Sequence, residues 1–76
     1  MEKYEDAIAD YNEAIRLNPG DTSAYYQRGL ANAQLEQYDA AIADYDEAIQ
    51  LNPNDEFIHD QRELMKAQQE QHETDT

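Results

Sequence analysis

A chain of 76 residues makes at most one small domain, and at that size a single core is stable only if its packing is regular. Eighteen acidic residues against five basic ones give a formal net charge of −13, which repels nucleic acid and anionic membrane surfaces and removes both as expected partners. The chain has no cysteine, hence no disulfide or thiolate metal site; it has no signal-like apolar stretch at Met1 to Asp6 and no run near the roughly 18 apolar residues of a membrane span, so a soluble, cytoplasmic chain is expected.

The first predicted element is a helix over 2–17, in which Tyr4, Ala7, Ile8, Tyr11, Ala14 and Ile15 recur in steps of three and four and share one face. Pro19 stops it and pushes Asn18 out of the α region. Asp21 is placed to cap a second helix over 22–35. A third helix over 38–51 repeats the first pattern with Tyr38, Ala41, Ile42, Tyr45, Ala48 and Ile49, and ends at Asn52-Pro53 in the same way. Asp55 caps a fourth helix, expected to reach about residue 70, after which the polar stretch 71–76 is expected to fray.

An internal repeat ties these elements together. At an offset of 34 residues, Tyr4 to Asp21 matches Tyr38 to Asp55 at 13 of 18 positions. The period and its punctuation resemble the tetratricopeptide repeat. That family's pattern of Trp-x2-Leu-Gly-x2-Tyr, then Ala-x3-Phe, then Ala and Pro corresponds here to Tyr25-x2-Arg28-Gly29-x2-Asn32, Ala41-x3-Tyr45, Ala48 and Pro53, with Arg28 and Asn32 departing from it. The resemblance implies an all-α fold, a short right-handed solenoid of about four antiparallel helices forming a single domain over 1–76. Residues 2–21 are then the second helix of a partial repeat, 22–55 a complete repeat and 56–70 a capping helix. Gly29, Ala41 and Ala48 let paired helices approach, and Tyr25 and Tyr45 fill the space between repeats. In the fourth helix Glu63 stands at the position of Gly29, which marks a solvating cap whose inner side is expected to use Phe57 or Ile58 with Leu64 and Met65.

The resemblance also implies a function. Tetratricopeptide repeats bind extended peptides or helices along a concave surface lined by the first helix of each repeat. Carried onto this chain, the groove positions are Ser23, Tyr26, Gln27, Leu30, Ala33 and Gln34 on the second helix, continued by Phe57, Asp60, Gln61, Leu64 and Gln68 on the fourth. The clamp of lysine, arginine and asparagine by which some members hold the carboxyl end of chaperone tails is lacking, since Tyr26, Gln27 and Leu30 stand in its place and Asp60 repels a carboxylate. The expected role is therefore a protein-interaction module or scaffold for a neutral or basic partner. The alternative is self-association into a homo-oligomer through the first helix, whose face at Tyr4, Ala7, Ile8 and Tyr11 lacks its preceding partner helix.

Catalysis is not expected. The acid pairs Asp10 with Glu13 and Asp44 with Glu47 lie opposite the apolar stripe and read as a solvated outer surface, without the burial that tunes a catalytic carboxyl. His59 and Glu63, one turn apart, make only two possible metal ligands, with His72 too distant to complete a set; no cofactor or metal is expected.

Overall fold

The computed structural model describes residues 3–75, with side chains described through residue 72. Its described residues form four α-helices and no strand: α1 (Tyr4–Leu17), α2 (Thr22–Gln34), α3 (Tyr38–Leu51) and α4 (Glu56–Asp75). The Cα extents are 38 × 33 × 16 Å. Helix axes pack about 8–10 Å apart and each carries a Cα radius of about 2.3 Å, so the shortest dimension is two helix layers thick.

The starts of α2 and α4 follow from their aspartates. The Asp21 carboxylate accepts from the Ala24 amide at 3.2 Å, and Asp55 Oδ1 accepts from the Phe57 and Ile58 amides at 3.0 and 3.4 Å. Helices α1 and α3 end alike, with the Asn18 amide bonded to the Ala14 carbonyl and the Asn52 amide to that of Ala48, both at 2.9 Å. Two residues before α3 the chain turns through a Schellman motif. The Gln37 amide donates to Asn32 O at 2.9 Å and the Glu36 amide to Ala33 O at 3.0 Å, which places Glu36 in the left-handed region at φ 60°.

The core sits between α2, α3 and α4. Ala41, Tyr45 and Ala48 are fully buried, with Ile49, Ile58 and Met65 around them. Gly29 makes this packing possible: a Cβ there would stand 2.7 Å from Tyr45 Cε1 and 3.3 Å from the Ala41 carbonyl oxygen. Helix α1 packs on α2 and buries none of its residues to the same degree.

Three expectations change. Helix α4 runs through Asp75 rather than ending near residue 70, because Gln71 to Asp75 contain no glycine or proline to stop it, and the His72 ring lies edge-on to Tyr38 at 5.5 Å. The inner side of α4 is built by Ile58 and Met65, while Phe57 and Leu64 remain 57% and 50% exposed. Asp44, expected on the solvated surface, is buried at 5% exposure. Its position on α3 faces α2 where Arg28 and Asn32 approach, so the apolar stripe is not the only buried face of that helix.

Candidate interaction surfaces

Asp44 is the centre of a polar network that joins three helices. Arg28 grips it in a fork, Nε to Oδ2 at 3.0 Å and Nη2 to Oδ1 at 2.6 Å, and Asn32 donates Nδ2 to Oδ2 at 3.1 Å. The remaining arm of Arg28 reaches back to α1, Nη1 donating to Asn12 Oδ1 at 2.8 Å. The guanidinium also lies over the Tyr25 ring, 5.6 Å from its centroid. Hydrogen bonding to Asp44 holds the Arg28 pKa above its ordinary value against the opposing effect of burial. The two residues that depart from the repeat pattern, Arg28 and Asn32, thus satisfy the buried acid. Their spacing of four on α2, and the recurrence of Arg28 as Arg62 after 34 residues, are the sequence signals that point to it.

The predicted groove residues fall on two surfaces rather than one. Gln27, Leu30 and Gln34 line a groove of about 300 Å³ between α1 and α2, together with Ala31 and with Tyr4, Ala7 and Tyr11, three of the residues assigned to the self-association edge. Ile8, the fourth, is half-buried and is not among the residues lining it. The remaining positions lie along α2 and α4. Tyr26 is half-buried, its ring 5.7 Å from those of both Tyr45 and Phe57, and Ala33 packs on the core cluster. Ser23, Asp60, Leu64 and Gln68 are exposed and Gln61 is half-buried.

Phe57, Asp60 and Leu64 stand three and four residues apart and share one face of α4, so a carboxylate lies within an exposed apolar stripe. Desolvation raises the Tyr26 pKa beside this stripe, with Asp55 adding to the shift. A further cavity of about 430 Å³ opens at the α2–α3 turn, between Glu36, Asp39, Gln69 and His72, the last with Nε2 3.6 Å from the Glu36 carboxylate. Among the described residues no three His, Asp or Glu side chains converge to hold a metal ion, and His59 Nε2 lies 3.1 Å from the Pro53 carbonyl oxygen. No helix of the described residues is long and apolar enough to cross a membrane.

Paired antiparallel helices in a two-layer slab, with Gly29 seating Tyr45 and an exposed face on each side, define a helical repeat scaffold. The model of the tetratricopeptide repeat family matches residues 1–70, and the chain belongs to that family, whose repeats in general mediate protein–protein interaction. Neither the comparison with curated proteins nor that with solved structures returned a match.

Proposed function

We propose that the chain is a protein-interaction platform, with a binding rather than a catalytic role, that takes a neutral or basic partner segment along the α2–α4 face. The observation that carries this reading is the exposed stripe of Phe57 and Leu64 interrupted by the exposed Asp60. Two large apolar side chains supply contact area, and the carboxylate between them, on a chain of net charge −13, favours a cationic group in the partner and disfavours an acidic one. Half-buried Tyr26 extends the stripe onto α2.

The test is a peptide-display selection followed by affinity measurement on the selected peptides. Peptides carrying lysine or arginine beside an apolar anchor are expected, and Phe57→Ala with Leu64→Ala should weaken them at least tenfold, with Asp60→Lys reversing the charge preference. Selected peptides that bind the double variant as well as the native chain would place the site elsewhere. These side chains are exposed, so their truncation leaves the core intact.

A second reading, self-association through α1, is supported by the groove between α1 and α2 and by the absence of fully buried residues on α1. Its test is solution mass against concentration.

A further inference from the structure

The surface that α1 and α2 leave open matches one that the chain closes itself. Tyr4, Ala7, Tyr11, Gln27, Leu30 and Gln34 line the open groove. The same residue types recur 34 positions later as Tyr38, Ala41, Tyr45, Gln61, Leu64 and Gln68. There, α2 lies against α3, and Ala41 and Tyr45 are fully buried. The helix that would close the open groove must therefore stand to α1 as α2 stands to α3. Helix α4 follows α2 by 34 residues and holds that place in the repeat.

Arg62 supplies an independent observation. Arg28 is satisfied from both sides, by Asn12 on the preceding helix and by Asp44 on the following one. Its counterpart Arg62 makes the first contact, Nη1 donating at 2.9 Å to Asp46, which stands where Asn12 does. The second contact is missing: Arg62 Nε is buried with no hydrogen-bond partner, and Nη2 rests 3.3 Å from the carboxylate of the adjacent Glu63. The counterpart of Asp44 on the other end of the molecule is Asp10, exposed on α1.

Glu63 occupies both vacancies in this arrangement. Its carboxylate neutralises the arm of Arg62 that would otherwise grip an aspartate, and it stands where Gly29 does, the position at which a Cβ on Gly29 would lie 2.7 Å from the Tyr45 ring.

We propose that α4 of one copy docks head to tail into the α1–α2 groove of the next, with Asp10 accepting from Arg62 and Tyr11 lying over residue 63, and that Glu63 is a plug that keeps this contact weak. The inference rests on the self-association reading and names its partner, register and gate. The contact is heterologous, so removing the plug yields open chains of increasing length rather than a closed dimer.

The experiment is sedimentation equilibrium of the 76-residue chain and its variants at about 0.5 M salt, where repulsion between acidic copies is screened. Glu63→Gly is expected to lower the concentration of half-assembly at least tenfold and to produce a ladder of sizes, and adding Asp10→Lys should return it to monomer. Glu63→Ala keeps helix propensity and frees Arg62 but retains the Cβ, so it should show a smaller gain in the same direction; if the glycine variant fails to fold, loss of that gain on adding Asp10→Lys carries the test. If both Glu63 variants are folded and no more assembled than the native chain, the plug and its register are refuted; a native chain and variants that all stay monomeric at every concentration refute self-association itself. If they assemble regardless of Asp10→Lys, self-association stands and the head-to-tail register is wrong.

Discussion

Asp10 and Asp44 occupy the same position in two nearly identical sequence segments, and one is exposed while the other is buried in an arginine fork. Local pattern makes no distinction between them. The difference lies in whether a first-helix neighbour with Arg28 and Asn32 stands opposite, which is a property of the assembled fold. Removing one partner of a buried, hydrogen-bonded ion pair costs about 3–5 kcal/mol, and the partial exposure of Arg28 reduces this to ~2–3 kcal/mol for Asp44→Ala. Asp10→Ala should change stability by less than about 0.5 kcal/mol, as expected for an exposed side chain. Urea denaturation of the two variants side by side checks the contrast, and equal losses would remove the network from the account.

Tyr45 offers a second contrast at this scale. Its ring is fully buried and its hydroxyl has no hydrogen-bond partner. Burial pushes its pKa up to about 12, with Tyr26 and Asp44 adding to the shift. The raised value belongs to the folded state, so folding is unaffected below the unfolded value of about 10 and loses stability as the pH rises from there toward 12. Tyr45→Phe should match or exceed the native chain at pH 7, since an unsatisfied buried hydroxyl is removed. It should also lose about 1–2 kcal/mol less than the native chain between pH 10 and pH 12, read from urea midpoints across that window.

Among the elements, the helix boundaries were legible where a chemical stop exists. Pro19 and Pro53 end α1 and α3, and the Asp21 and Asp55 caps start α2 and α4 as their spacing requires. The C-terminus of α4 was not, because polarity alone neither stops a helix nor continues one. Its inner face is legible only in part. Residues 57, 58, 64 and 65 lie on adjacent faces, and the choice of Ile58 with Met65 over Leu64 depends on where α3 approaches. The end of α2 carries a local conflict: Glu36 adopts φ 60° in a motif that favours glycine. Glu36→Gly should raise stability by about 1 kcal/mol, since the left-handed conformation costs an L side chain about 1–2 kcal/mol and only an exposed contact to His72 is lost. A thermal melt decides it, and a lower melting temperature would mean that the Glu36 side chain contributes more than its backbone costs.

For the whole molecule, the 34-residue period determines the order of layers, and that much is legible in the sequence. The sequence pattern could not resolve the two separate faces of α2. Gln27, Leu30 and Gln34 turn toward α1 and Tyr26 toward α4, a division set by where α1 and Phe57 of α4 approach α2. The charge of −13 spread over so small a slab makes folding dependent on ionic strength. Screening the self-repulsion should stabilise the chain by ~1 kcal/mol between about 20 mM and 0.5 M salt, or about 4–8 °C in melting temperature. A melt that is flat across that range would show that the acids are already locally compensated.

Arg28 holds the helix before it and the helix after it with one side chain, and this has a mechanical consequence. If the two termini are pulled apart, α1 is secured to the guanidinium by a single hydrogen bond to Asn12, whereas α3 is secured by the two-armed grip on Asp44. The same residue is thus a weak joint in one direction and a strong one in the other. Under force the chain should peel from its N-terminal helix first, with the α2–α3 pair surviving as the last unit to rupture.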